Sequence, residues 1–350
     1  MPHNIRRQMP IPGPGFEVYW SFAAERQKVY RRRLDGSCAA LTKDPIIASH
    51  RFTNVYRASD RVSQHLIGSV IYDRPRSWLD TFVRVLVFKV FNRLDTWLHI
   101  ESSIGEVDAA ALLAGAIDEA LASRATERPI YSAAYIMPPP RNEVGPKFRR
   151  HLNLLRLMVR QSAHEKIAAA SSMKEAYEVL LGYESLGPFL ALQYLIDLNY
   201  SDHLRFSERD FVVAGPGALR GMRKCITDPG DLNEADVIRW VMDQQVEAFS
   251  RRELEWTDLW GRPLQLVDIQ NIFCEVDKYT RVSNPELSSV VAGKRIKQRY
   301  DPARQPLTAW FPPKWGINAT AEAELSSWTG PPQRELFPLT EPGSGRPSAC

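Results

Sequence analysis

The chain has 350 residues, of which 44% are hydrophobic and 25% are charged, and its formal net charge is +4. These values exclude a wholly disordered chain and a disulfide-rich miniprotein, and they are typical of a globular protein with one large domain or two domains. The slight excess of 45 Lys and Arg over 41 Asp and Glu is compatible with nucleic-acid binding but does not establish it.

The spacing of cysteine and histidine predicts neither a metal site nor a bound cofactor. The cysteines form no CxxC or CxxH pair and lie far apart, at Cys38, Cys225, Cys274 and Cys350. The first fifteen residues lack the apolar core of a signal peptide, and Arg84 and Lys89 interrupt the longest apolar run, WLDTFVRVLVFKVF. We therefore expect a soluble, cytoplasmic protein of a reducing compartment, without a membrane partner.

The apolar periodicity predicts a mainly α-helical protein. After a Pro- and Gly-rich arm, helical patterns cover 16–33, 44–72, 77–100, 108–121 and the runs HLNLLRLMVRQSA, SSMKEAYEVLLG and GPFLALQYLIDLNY. The stretch 124–150 contains three consecutive prolines and is expected to be a loop or crossover. Only YSAAYIM and DFVVAG resemble strands, so we expect minor β-structure.

The composition changes near residue 293, where the chain becomes basic, aromatic and proline-rich before it ends in a polar tail. There is no internal repeat. These changes predict a flexible arm at 1–15, a helical domain at 16–292, an extension at 293–335 and a disordered tail at 336–350.

A tight hairpin between two helices is predicted in SMKEAYEVLLGYESLGPFLALQYLIDL. The turn ends at Gly187, and the proline that follows it costs no hydrogen bond at the first position of a helix. Such a turn can direct backbone N–H groups, here those of Leu186 and Gly187, at a DNA phosphate. An ordinary connection between packed helices has the same pattern.

A second candidate is the glycine-rich turn in ERDFVVAGPGALRGMRKC. Gly215 and Gly217 allow the backbone to approach a ligand closely. Asp210 precedes the apolar stretch of this segment, where burial would perturb its pKa. A helix cap followed by a plain turn remains the alternative.

A polar helix face is predicted in LQLVDIQNIFCEVDKYTR. At helical spacing Asp268, Asn271 and Glu275 share one face, with Lys278 following Glu275 by three residues. Amide side chains such as Gln270 and Asn271 suit the reading of a base edge. A solvated face with a Glu–Lys pair is the alternative.

The segment RFTNVYRASDRVSQ is a candidate phosphate-binding surface. On a helix Asn54, Arg57 and Arg61 lie on one face, with Asp60 close by. The arginines are expected either to bind phosphates or to pair with Asp60 internally.

Five segments in order resemble one family: ERQKVYRRR, DPII with RFTNVYRASDRVSQHLI, YESLGPFLALQYLIDLNYS, DFVVAGPGALRGMRKC and DIQNIFCEVDKYTR. They resemble the alpha-glutamyl/putrescinyl thymine pyrophosphorylases, whose fold also occurs as the helical domain of 5-hydroxymethyluracil DNA kinases. The resemblance covers roughly 16–300 and implies a helix-hairpin-helix DNA-glycosylase-like fold. Glycosylases of that type grip DNA with the hairpin, flip a nucleotide into a pocket and place an Asp near C1′.

The resemblance implies that Asp210 is the catalytic carboxylate. In a second alignment Ala214 and Gly215 replace that position, and Glu184 or Asp202 then becomes the acid. The family's hairpin has Gly where this chain has Ser185, which weakens the expected grip on phosphate. The turn after the hairpin contains no Lys, so the resemblance implies a monofunctional enzyme rather than a Schiff-base lyase.

The preferred functional hypothesis is a monofunctional DNA glycosylase. It would excise a hydroxymethyl-derived or glucosylated pyrimidine from double-stranded DNA, leave an abasic site and serve defence against phages. Base contacts are assigned to Asn54, Gln270, Asn271, Glu275 and Lys278. Contacts with the DNA are assigned to Leu186, Gly187, Arg57, Arg61, Gly215, Gly217, Arg220 and Lys224.

Two other hypotheses remain open at this point. One is a transferase that replaces pyrophosphate on activated 5-hydroxymethyluracil with an amine and needs a partner DNA kinase. The other is a non-catalytic module that senses modified bases. The sequence contains no GxxxxGK[ST], GxGxxG or GxSxG motif, so the chain is not itself expected to be a P-loop kinase.

Overall fold

The computed structural model describes residues 7–36, 40–141, 144–287, 295–300, 307 and 309–327. These residues form sixteen α-helices and one two-stranded sheet, so the predicted mainly α-helical class with minor β-structure is confirmed. The helices are α1 (Gly15–Leu34), α2 (Pro45–Ser49), α3 (Arg61–His65), α4 (Trp78–Phe91), α5 (Leu94–Ile104), α6 (Ala109–Ala114), α7 (Ala116–Glu127), α8 (Lys147–Arg160), α9 (Ala163–Ala169), α10 (Met173–Leu181), α11 (Pro188–Asn199), α12 (Pro216–Cys225), α13 (Glu234–Asp243), α14 (Gln245–Arg251), α15 (Leu266–Ser283) and α16 (Asn318–Ser327).

The sheet does not lie where the sequence predicted strands. Strand β1 (Ile11–Pro12) pairs in antiparallel orientation with β2 (Ile226–Asp228). The stretches YSAAYIM and DFVVAG are irregular instead, because neither has a neighbouring strand to pair with. In the described part of the N-terminal segment, the Gly13 N–H donates to the Cys225 carbonyl at 2.7 Å.

Helices α4 and α11 form the centre of a middle group that runs from α4 to α11. Both are apolar on most of their surface, and every residue of 81–91 and 190–199 is buried. Helices of this composition are stable only inside a core, which explains why α8, α9 and α10 pack around them.

A second group combines α1 with α12 to α15. Helices α12 and α15 cross closely at two glycines that lie one turn apart. A Cβ atom on Gly221 would lie 2.0 Å from the Phe273 carbonyl oxygen, and one on Gly217 would lie 2.9 Å from Cys274 Sγ. Only glycine permits this contact, so these two residues position α15.

The predicted helix over 44–72 is interrupted. Backbone N–H groups of the loop between α2 and α3 donate to acidic side chains, Thr53 to Glu275 at 3.1 Å and Arg57 to Asp268 at 2.9 Å. A 3₁₀ turn (Arg57–Ser59), α3 and a π-helical turn (Leu66–Ile71) follow. The apolar periodicity here reflects burial of the loop, not a continuous helix.

The described part of the C-terminal extension packs onto the helical body. Lys314, in a 3₁₀ turn (Pro313–Trp315), donates from Nζ to the carbonyls of Asn199, Ser201 and Leu204 at the end of α11. The predicted boundary at 292 and the predicted tail at 336–350 lie outside the described residues. Among the described helices, none combines the length and the apolar character that a membrane span requires.

Candidate functional site

The three acids considered for catalysis lie on the surface of the described structure. Asp210 is exposed, and its carbonyl accepts a hydrogen bond from Arg239 at 3.1 Å. Glu184 and Asp202 are also exposed, and Glu184 accepts the Arg141 N–H at 2.6 Å. None of the three is buried, and a catalytic role for any of them stays a prediction.

The predicted hairpin is present between α10 and α11. Ser185 has φ 72°, in the left-handed region that the family's glycine would adopt without strain. Leu186 is buried, and its N–H donates to the Tyr183 carbonyl at 3.2 Å. Gly187 is exposed and caps α11. Of the two predicted phosphate contacts, only Gly187 therefore lies at the surface.

Arg57 lies in the core rather than on a phosphate-binding surface. Its guanidinium donates to Gln193 at 2.9 Å and to the Tyr200 hydroxyl at 2.8 Å, and it pairs with Asp197 at 2.6 Å. Lys89 Nζ lies 2.8 Å from the other oxygen of Asp197. The Asp197 cluster, defined as Arg57, Lys89 and Asp197, thus contains two buried cations for one carboxylate.

Burial in the Asp197 cluster changes the pKa of Lys89. Removal from water disfavours the charged ammonium and lowers the pKa of Lys89 to about 8, although the attraction of Asp197 opposes this shift. The repulsion of Arg57 adds to the lowering. The Lys89 ammonium therefore begins to lose its proton at a pH only slightly above neutral.

The N-termini of α11 and α12 meet at the ring of Phe189. Both helices begin with a Gly-Pro pair, so neither N-cap residue has a side chain that can accept from the first-turn N–H groups. A Cβ atom on Gly215 would lie 2.6 Å from the Phe189 ring and 3.2 Å from Gln270 Nε2. The close approach predicted for Gly215 is thus to these two side chains.

Two buried glutamines beside Phe189 have unpaired atoms. Gln193 follows Phe189 by one helical turn, and Gln270 projects from α15 towards Gly215. Within the described structure, Gln193 Nε2 and Gln270 Oε1 have no hydrogen-bond partner. Gln270 Nε2 makes a long contact of 4.0 Å with Cys274 Sγ. Since an unpaired buried polar atom costs about 1–3 kcal/mol, this arrangement calls for an explanation.

Tyr135 completes this region from the loop between α7 and α8. Its ring lies nearly parallel to that of Phe189, with 6.0 Å between centroids and 13° between planes. Lys89 Nζ lies 3.8 Å from the Tyr135 ring centroid. We call Tyr135, Phe189, Gln193 and Gln270 the amide cluster, which joins the Asp197 cluster through the bond from Arg57 to Gln193.

Other predicted base contacts hold the loop before α3. Both ends of the Asn54 amide are hydrogen-bonded within the protein, to Arg26 at 2.7 Å and to the Ser59 carbonyl at 2.8 Å. Glu275 pairs with Lys278 at 2.6 Å. Base contact by these residues and by the half-buried Asn271 stays a prediction.

A group of cations surrounds Asp277 where α12 crosses α15. Arg220 lies 3.0 Å, Lys224 2.9 Å and Arg281 2.7 Å from its carboxylate oxygens. Burial opposes ionisation of Asp277, but hydrogen bonds from these three cations lower its pKa overall. In this Asp277 cluster the Arg220 side chain is 44% exposed. The predicted residues Arg220 and Lys224 are therefore brought together by an acid that the sequence reasoning missed.

Elsewhere in the described residues we searched for metal-binding groups and for surface grooves. No group of three or more His, Cys, Asp and Glu side chains within them is placed to bind a metal ion. Two surface grooves of about 510 and 550 Å³ lie beside the hairpin and between α1, α2 and α15. Neither is lined by the amide cluster. Arg61, another predicted phosphate contact, is exposed at the start of α3.

This helical body with a buried polar centre matches a known class of domain. The model of the helical domain of 5-hmdU DNA kinases matches residues 14–289, and the chain therefore belongs to that family. A 5-hmdU DNA kinase of Bacillus phage SP10 is 25% identical over 329 residues, which are 85% of this chain and 50% of the relative. The chain thus spans about half the length of that curated relative. No solved structure matches it.

These comparisons correct the functional hypothesis. The resemblance to the helical domain of the DNA kinases is confirmed, whereas the preferred assignment as a hydrolytic DNA glycosylase in phage defence is wrong. The transferase alternative is not supported either. The error arose because a shared helical scaffold does not determine the reaction that it serves. The relation to helix-hairpin-helix glycosylases stays a prediction.

Proposed function

We propose that the chain acts as the helical part of a kinase that phosphorylates 5-hydroxymethyl-deoxyuridine (5-hmdU) in DNA. The observation that carries this proposal is the family match over 14–289, which includes α1 to α15 and both charged clusters. The role of the helical part is to bind the DNA and to hold the modified nucleotide for phosphoryl transfer.

The reaction is transfer of the γ-phosphoryl group of ATP to the hydroxymethyl oxygen. A phosphate monoester and ADP form, and the hydroxyl proton is released. Positioning and electrostatic stabilisation dominate such reactions. Because the sequence has no GxxxxGK[ST] motif, we assign ATP binding to a unit other than 14–289 and substrate positioning to the helical part.

The Asp277 cluster is suited to the DNA backbone. It contains three cations and one carboxylate, and Arg223 is exposed on the same helix as Arg220. Cations at a surface attract phosphates and release counterions on binding, which makes affinity depend on salt. The edge of the α12–α15 crossing is therefore the proposed contact with phosphate.

The proposal is tested by binding and by phosphoryl transfer. Fluorescence anisotropy compares a duplex containing one 5-hmdU with the same duplex containing thymidine, at several salt concentrations. In parallel, the chain is incubated with [γ-³²P]ATP and each duplex. We expect tighter binding of the 5-hmdU duplex, and any label should enter that duplex alone. Equal affinity for the two duplexes without label transfer would overturn the proposal.

A further inference from the structure

We infer that the amide cluster is a binding site for an extrahelical uracil-type base, and that the Tyr135 ring occupies the position of that base in the DNA-free protein. The inference rests on the proposed function and names the part of the nucleotide that is recognised. Three independent features of the cluster support it.

The first feature is the hydrogen-bonding capacity of Gln270. Its side chain is fully buried, its Oε1 has no partner, and its Nε2 has only the long contact with Cys274. A uracil edge presents the N3–H donor beside the O4 acceptor. With Nε2 turned towards Cys274 and Oε1 unpaired, the carboxamide would accept from N3–H and donate to O4, whereas cytosine, with an N3 acceptor and an N4 donor, would require the reversed amide. An apolar residue would fill this place without leaving a polar atom unpaired.

The second feature is an aromatic face that accepts a flat ring. Phe189 is held at the start of α11 against Gly215, and Tyr135 lies nearly parallel to it. Protein side chains stack on unpaired bases in the same way. A pyrimidine in place of Tyr135 would lie between Phe189 and Lys89.

The third feature is that Tyr135 lies on an irregular segment, where its ring contacts and a hydrogen bond with Arg57 hold it. It is only partly buried, and its φ of 55° lies in the left-handed region that residues other than glycine rarely adopt. It belongs to an irregular stretch between α7 and α8, and the next residue, Ile136, is 66% exposed. Movement of this side chain therefore requires no change in a helix.

The experiment measures affinity and base extrusion separately. Duplexes contain a single 5-hmdU or 5-hydroxymethyl-deoxycytidine next to 2-aminopurine, whose fluorescence rises when its neighbour leaves the stack. The two modified bases share the hydroxymethyl group and differ at N3 and C4. The variants are Tyr135→Ala and Gln270→Leu, with Ile136→Ala on the same loop and Val282→Ala, an exposed residue of α15, as matched controls.

The expected results differ between the two variants. Tyr135→Ala removes the competing ring, so it should bind the 5-hmdU duplex about fivefold more tightly and raise the fluorescence. The unsubstituted protein should prefer 5-hmdU over the cytosine analogue about tenfold, and Gln270→Leu should abolish this preference. Gln270→Leu should keep or raise the melting temperature, because it removes an unpaired buried atom.

Failure of this inference is distinguishable from failure of the proposed function. If the protein prefers 5-hmdU to thymidine but Tyr135→Ala and Gln270→Leu behave like their controls, the proposed function stands and the base site is wrong. If the protein shows no preference for 5-hmdU and transfers no label to it, both are wrong. Should either variant not fold, Tyr135→Gly, which suits the left-handed φ and should also bind the 5-hmdU duplex more tightly, and Gln270→Met, expected to lose the preference, supply the same comparison.

Discussion

Two aspartates in this structure each hold more cations than they can neutralise, and their surroundings differ. Asp197 lies between α4 and α11, and the side chains of Arg57 and Lys89 are 3% exposed. Asp277 lies at the edge of the α12–α15 crossing, where Arg220 is 44% exposed. The same pairing therefore stabilises a buried polar centre in one place and a surface that can attract phosphate in the other.

The largest effect is expected from Asp197→Asn. The substitution leaves Arg57 and Lys89 buried without a counterion, which should lower the free energy of unfolding by about 3–5 kcal/mol. Urea denaturation monitored by circular dichroism measures this, with Asp243→Asn on an exposed residue as control. A loss under about 1 kcal/mol would mean that the buried cluster does not differ from a surface pair.

The second-largest effect is expected in the pH dependence of the free energy of unfolding, through Lys89 of the Asp197 cluster. Since the pKa of Lys89 falls from the ordinary 10.5 to about 8 on folding, the unfolded chain binds more protons between these values. Stability should therefore rise with pH in this window.

The contribution of Lys89 is obtained from a comparison with Lys89→Met. Between about pH 7 and pH 10, the unsubstituted protein should gain about 2–3 kcal/mol relative to the variant. The free energy of unfolding of both proteins is measured across this range. Parallel curves would show that Lys89 has its ordinary pKa in the folded protein.

Asp277→Asn should destabilise the protein by about 1–3 kcal/mol, less than Asp197→Asn. Lys224 is buried and would lose its carboxylate, but Arg220 can turn towards water. Affinity for DNA should be retained or increased, because the phosphates then meet the cations without a competing anion. Weaker DNA binding by a folded Asp277→Asn would contradict the proposed phosphate contact.

Arg220→Ala should have the smallest effect on stability, within about 0.5 kcal/mol, since a half-exposed ion pair contributes little. Its effect on DNA should be clearer, because one lost phosphate contact lowers the slope of log affinity against log salt by about 0.9. Arg251→Ala, on an exposed residue of α14, is the control. An unchanged slope would place the DNA elsewhere.

Sequence reasoning found part of the candidate site. Gln270 was assigned to base recognition, and Gly215 to a close approach, and both lie at Phe189. Tyr135 lies in the stretch YSAAYIM, which resembles a strand in sequence and is irregular in the structure. Asp197 gave no signal, since a charged residue in an apolar helix shows its role only through Lys89 and Arg57, which lie far from it in the chain.

Local patterns by themselves determined the helical class, most helix positions, the hairpin and the resemblance to the kinase helical domain. These follow from apolar periodicity, caps and turn residues within a few positions of one another. The tertiary structure alone decided which charges became buried, that α1 joins α12 to α15, and that Arg57 faces the core. The physical reason is that desolvation and pairing depend on neighbours in space, which local spacing does not specify.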